Sequence, residues 1–326
     1  MLTLALAAAL TAGSPSLDPA GPGFDCAKAA APDEKLVCGT PELARLDRRL
    51  AVLYSWRSAL ADAPARDRER SAQRAWLAKR AACAAGAKAP SKPADRAACV
   101  AAVYPARIAE LEKATGPVPD AILVMRRAHV KGTKLCEEVD LAWPELWGTT
   151  LPGAAAFNDY FAETRPSPDC VGTNDDAEGL GPGYTARSAS PKWANQRFVT
   201  FERSNEQYSA GAAHPNHASE LVTFDVTAGR PIGPDDVFAP APEARAKLIA
   251  LVEKRFQKQD EELDVDALRA NAFAKGKWAF TATGAMVHFS PYEIASYGAG
   301  DFDATFTWEE LRPFLRFGAP FPLPKG

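Results

Sequence analysis

FDCAKAAAPDEKLVC, Phe24 to Cys38, sets Cys26 and Cys38 close together in a short, Ala-rich stretch. A second pair, Cys83 and Cys99, brackets the segment from Ala84 to Pro93, which is rich in Ala, Gly, Lys and Pro and reads as a loop. Such spacings staple a small helical domain whose core is too modest to hold alone. Upstream, Leu2 to Ala12 is apolar or small and runs into Gly13-Ser14-Pro15, the pattern of a signal-peptide h-region and cleavage zone. It falls short of the roughly 20 apolar residues that span a bilayer. The expectation is a signal peptide and leader over 1–20, then a soluble protein, periplasmic or secreted, with no transmembrane segment. In that compartment the six cysteines should pair, most simply in order: Cys26 with Cys38, Cys83 with Cys99, Cys136 with Cys170.

At 326 residues, 47% hydrophobic and 24% charged, the chain can bury an ordinary core and is long enough for two domains. Its net charge of -3 hides two opposite halves. Gly21 to Gly116 carries 17 Lys and Arg against 11 Asp and Glu, a net of +6, whereas Pro117 to Gly326 carries 21 against 29, a net of -8. Asp18 in the leader supplies the remaining charge. A basic half suits anionic cell-wall polymers, and an acidic half attracts a cationic protein. No nucleic acid is expected as a partner.

The first half reads as helix throughout. Thr40-Pro41 is a helix start, and Leu43, Leu46, Leu50 and Leu53 mark one buried face. A second helix from about Ala65 to Cys83 buries Trp76 and Leu77, with Arg66, Asp67, Arg70 and Arg74 opposite. A third, Ala94 to Lys113, buries Val100, Val103, Ile108 and Leu111, and Pro105 should kink it. Gly116-Pro117-Val118-Pro119 is the boundary between a domain over 21–116 and another over 117–326. Beyond it, strands are expected at Ala121 to Val130, Gln196 to Tyr208, Glu220 to Val226 and Phe302 to Thr307, with a hairpin from Trp278 to Phe289. Pro242 to Gln257 and Trp308 to Leu315 read as helices. The fold class is therefore α+β in two domains, a disulfide-stapled helical one and an α+β one with a mostly antiparallel sheet.

With FDCAKAAAPDEKLVC (Phe24 to Cys38), PELARLDRRLAVLY (Pro41 to Tyr54), QRAWLAKRAAC (Gln73 to Cys83) and CVAAVYPARIAELE (Cys99 to Glu112), the helical half resembles the LprI family of lysozyme inhibitors. The second half is similar to the domain shared by RsiV-type lysozyme-sensing anti-sigma factors and PdaC-type peptidoglycan deacetylases. The residues concerned are AGAAHPN (Ala210 to Asn216), FDVTAGRPIGPDDVF (Phe224 to Phe238) and HFSPYEIASYGAGDFDATFTWEEL (His288 to Leu311). Both resemblances imply lysozyme or a related muramidase as the protein partner, and the second also implies peptidoglycan as an alternative ligand.

The candidate binding residues lie in the two motifs of the second resemblance: His214, Pro215 and Asn216 in a loop from Ala210 to His217, and Tyr292, Glu293 and Tyr297 in a bend from Pro291 to Tyr297. His214 and His217 form an H-x-x-H pair, but helical metal pairs need i, i+4 spacing and a third ligand, so no metal or other cofactor is expected there. Asp235-Asp236 reads as a turn or helix cap in preference to a Ca²⁺ site. There is no G-x-S-x-G and no phosphate-binding Gly loop, so no catalytic residues are assigned and the protein is read as a non-enzyme. An envelope hydrolase using Glu293 with His288 or His214 is the enzymatic alternative.

Overall fold

The structure is a computed structural model that describes residues 17–85, 89–132, 138–162, 183–259 and 263–321. The chain divides into two compact units, one of Met1–Met125, Pro144–Asn158 and Asn195–Arg197, the other of Arg126–Trp143, Asp159–Ala194 and Phe198–Gly326.

The first unit carries the helices α1 (Pro32–Gly39), α2 (Pro41–Leu60), α3 (Ala63–Ala84), α4 (Pro93–Ala102) and α5 (Tyr104–Thr115). Disulfides join Cys26 to Cys38 and Cys83 to Cys99, as the spacing predicts. Cys136 and Cys170 lie outside the described residues. Thr40 precedes α2 in an extended conformation, but its side chain makes no capping bond, so Pro41 alone marks the start. Leu43, Leu50 and Leu53 are buried and Leu46 is half-buried. Leu77 departs from expectation at 40% exposed, because Trp76 takes the inward position and donates its Nε1–H to Val103 O at 2.9 Å. The expected third helix is two: Pro105 cannot donate to the preceding turn, so α4 ends before Val103 and α5 begins with Pro105 in its first turn.

This unit also buries charge. Arg80, 5% exposed, donates Nε–H to Asp33 at 2.8 Å and Nη1–H to Asp47 at 2.7 Å. Tyr104 OH and Gly23 N–H complete the shell of Asp47 at 2.9 and 3.0 Å. Burial pushes the Asp47 carboxyl up, and the Arg80 charge and the Tyr104 and Gly23 hydrogen bonds oppose it.

After α5, β1 (Ile122–Val130), β2 (Glu138–Trp147), β3 (Tyr184–Ala194), β4 (Phe198–Tyr208), β5 (Asn216–Asp225) and β6 (Arg230–Ile232) form one sheet in sequence order. The pairs from β3 to β6 are antiparallel, while β2 and β3 are parallel with Glu138 opposite Tyr184. A second, antiparallel sheet comprises β7 (Trp278–Phe280), β8 (Gly284–Phe289) and β9 (Phe302–Thr307). The helix α6 (Ala154–Ala162) lies between β2 and β3 in sequence, the short α7 (Pro234–Val237) follows β6, and α8 (Pro242–Phe256) and α9 (Val265–Asn271) precede the second sheet. After β9, the helix expected to reach Leu315 stops early: α10 (Trp308–Leu311) gives way to a 3₁₀ turn over Arg312–Phe314, where Pro313 cannot continue an α-helical ladder.

Apolar residues of α8, α9, the strands β7 to β9 and α10 make one core around Phe256, Trp278, Phe280, Phe289 and Phe306. Thr200 on β4 and Thr223 on β5 tie these strands to the three-stranded sheet. Thr200 donates to Phe280 O at 2.6 Å, and Phe280 N–H donates to Thr223 Oγ1 at 2.8 Å. Asp236, in the first turn of α7, accepts from Gly233 N–H at 2.9 Å and pairs with Arg230, so of the Asp235-Asp236 pair it is Asp236 that caps the helix, while Asp235 pairs with Arg245. No helix among the described residues is long and apolar enough to cross a membrane.

Candidate functional site

The bend after β8 is built by its own polar groups. Glu293 accepts from Ser290 N–H at 2.6 Å and also holds the Lys277 ammonium. Ile294 is buried, and its carbonyl accepts from Asp264 N–H at 2.7 Å. Fixed on both sides, the chain presents Tyr292 at φ +69°, the one non-glycine residue with positive φ among the described residues, and 65% exposed. A bulky side chain in this backbone region costs free energy, and such strain collects at functional sites.

Tyr297 gathers the other expected residues. Its ring stacks on His214 with centroids 4.2 Å apart and planes at 22°, and the Tyr292 ring lies 5.2 Å away. Its hydroxyl donates to Pro215 O at 2.7 Å, a carbonyl that also takes His214 Nδ1 at 2.9 Å. The two motifs, distant in sequence, thus meet in one cluster of His214, Pro215, Tyr292 and Tyr297.

The segment from Ala210 to His217 is only partly the loop expected. Gly211 turns the chain at φ +84°, but β5 already starts at Asn216, which pairs with Gln207 as a strand residue. His217 is likewise in the strand. Its Nε2 lies 3.3 Å from both carboxylate oxygens of Asp301, and its Nδ1 lies 3.4 Å from the Tyr297 hydroxyl. The two histidines of the H-x-x-H pair therefore differ in their surroundings: His214 stacks flat on Tyr297, whereas His217 faces an aspartate. Glu293, expected at the surface as a binding group, is committed to Lys277 and the Ser290 amide.

His288 has the surroundings richest in chemistry. Its Nδ1 lies 2.9 Å from Asp303 Oδ1 and its Nε2 3.1 Å from Ser290 Oγ, and the His288 hydrogen bond holds the Asp303 carboxyl below the usual aspartate range. The order Ser, His, Asp has the connectivity of a nucleophilic relay. Ser290 is only 2% exposed, however, and its Oγ accepts from Ser219 N–H at 2.8 Å. Occupied in this way, the hydroxyl links the bend to β5. The sequence motifs do not single out Ser290, Asp301, Asp303 or Lys277; His288-x-Ser290 and Asp301-x-Asp303, alternating at strand ends, are the pattern that points to the first three.

Next to the bend, one face of the six-stranded sheet forms a groove of about 760 Å³ that includes His129, Asp140, Ala186, Ser204, Glu206 and His217. His217 belongs to both the groove and the surroundings of Tyr297.

The family comparisons divide along the chain in the same way. Residues 26–111 match the family described as lysozyme inhibitor LprI. Residues 235–309 match a family described as a protein of unknown function, DUF3298, so Tyr292, Glu293 and Tyr297 lie inside that match and His214, Pro215 and Asn216 outside it. Among solved structures, a DUF3298 family protein of Pseudomonas aeruginosa PAO1 is similar at 16% identity and a TM-score of 0.47, over 63% of this chain and 97% of its own. A DUF3298 family member of Bacteroides fragilis NCTC 9343 is similar at 14% identity and a TM-score of 0.46, over 60% of this chain and 95% of its own. No curated protein matches the chain.

Proposed function

We propose that this is an exported, non-enzymatic binding protein of the cell envelope whose target is a lysozyme-type muramidase. The LprI match over the disulfide-stapled helices carries the choice of target. Paired cysteines favour an oxidising compartment, periplasmic or extracellular. In this reading the signal peptide covers 1–20, the helical domain 21–116 and the α+β domain 117–326.

The cluster of His214, Pro215, Tyr292 and Tyr297 is the binding surface in this reading. A muramidase cleft presents two carboxylates, so an occupant must offer hydrogen-bond donors from a rigid support. Tyr292 supplies an exposed phenol on a pinned bend, and His214 an imidazole held by stacking. Tyrosine gives large contact area at low entropic cost and is frequent among interface anchors. The acidic balance of residues 117–326, a net of -8, favours approach by a cationic enzyme.

The test is lysozyme turnover measured against increasing mature protein. Progressive, saturable inhibition is expected. Retention on purified peptidoglycan with lysozyme activity untouched would replace this reading with that of a wall-binding module, and turnover of the polymer by the protein itself would make it an enzyme.

A further inference from the structure

Strands β1 and β2 are neighbours in the sheet and carry His129, Glu138 and Asp140. Glu138 and Asp140, two residues apart on one strand, project from the same face. His129 Nδ1 lies 2.9 Å from Asp140 Oδ1, and one ligand atom from each of the three residues falls within 4.8 Å of the other two. No packing need explains the grouping, since the His129 and Asp140 side chains are 54% and 63% exposed. Neither carboxylate pairs with Lys or Arg among the described residues, so two negative charges are held together with an imidazole as their neighbour.

A second observation comes from position. His129 and Asp140 line the groove of about 760 Å³ on the sheet face, which also includes the small residues Ala142, Ala186, Ser188 and Ser204. An ion held at this wall would have its remaining coordination position open to whatever occupies the groove.

We infer that His129, Glu138 and Asp140 form a binding site for a divalent transition ion of the zinc class. One imidazole nitrogen and two carboxylate oxygens are a donor set that zinc accepts, at about 2.0 to 2.2 Å, and three atoms already this close need only side-chain rotation to share one ion. The imidazole disfavours Ca²⁺ and Mg²⁺, which take oxygen ligands. Three protein ligands leave a fourth position for water or a ligand donor. Pairing of β2 with β3 fixes the backbone of Glu138 and Asp140, so binding orders side chains only. This site is separate from the H-x-x-H pair at His214 and His217.

The experiment is equilibrium dialysis of Zn²⁺, and of Mg²⁺ in parallel, against the untagged mature protein. One Zn²⁺ per chain and no Mg²⁺ uptake are expected. His129→Ala and Asp140→Asn should each weaken Zn²⁺ binding about tenfold or more, while the melting temperature without metal stays that of the wild type, because the side chains are exposed. Absence of Zn²⁺ binding by the wild type, undiminished binding by both variants, or equal uptake of Mg²⁺ overturns the assignment.

Discussion

The helical unit and the bend after β8 handle polar side chains in opposite ways. In the helices, Arg80 is buried and its guanidinium is matched to Asp33 and Asp47, with Tyr104 closing the shell. At the bend, Tyr292 is exposed, sits in a strained backbone region, and its hydroxyl bonds to no described residue. The first arrangement loses stability if any member is removed. The second is held in place by other groups, Glu293 with Lys277 and Ile294 with Asp264, so the Tyr292 ring, resting on Tyr297, stays exposed for recognition. Where a polar group is satisfied internally it defines the fold, and where the support is satisfied but the group is not, it is a candidate for binding.

The largest effects belong to the helical unit. Reducing its two bridges should destabilise it by about 2 to 4 kcal/mol per bridge, since each one mainly restricts the unfolded chain. Hydrogen exchange should show α1 to α5 opening before the strands β7 to β9. Simultaneous opening of both would remove the energetic contrast between the regions.

Arg80→Met comes next. It leaves Asp33 and Asp47 buried without their cation, a change expected to cost about 3 to 5 kcal/mol and measurable by urea denaturation. A loss below about 1 kcal/mol, the level of a surface pair, would show the cluster to be less sealed than its geometry.

The smallest effect on stability concerns Asp303. Its carboxyl is held low in the folded state by His288, so the stability it adds is present above the ordinary aspartate value, about 3.9, and is lost as pH falls through the lower folded value. Asp303→Asn should therefore lower stability at neutral pH by less than about 1 kcal/mol, given the exposure of the carboxylate. Wild type and variant should converge in strong acid, and a gap that persists there would assign the loss to packing instead of charge.

Much of this contrast was legible in the sequence, though unevenly. The cysteine spacing anticipated both described disulfides, and Pro105 marked the break that became α4 and α5. Strand alternation and Gly-Pro punctuation located β1, β4 and β7 to β9. Glu138 to Trp147 and Tyr184 to Ala194 carried no such signal, because Pro144 lies within β2 and Pro191 sits where the register of β3 shifts, and a proline inside a run argues against a strand. The candidate residues His214, Tyr292 and Tyr297 were identifiable as motif members, but their convergence depends on contacts between distant segments that local pattern does not encode. Arg80, Asp33 and Asp47 were hidden for the opposite reason: charged residues on helices read as solvent-facing until packing shows them buried together.

The most direct test is inhibition of lysozyme by wild-type protein and by Tyr292→Gly, titrated side by side with melting curves. Glycine accepts the positive φ without strain, so the variant should melt at or slightly above the wild-type temperature. Its inhibition should nonetheless weaken by about 1 to 2 kcal/mol, roughly five- to thirtyfold, as for loss of an interface anchor. No inhibition by the wild type, or equal inhibition by an equally stable Tyr292→Gly, would contradict the claim that this bend is the surface through which the protein recognises a muramidase.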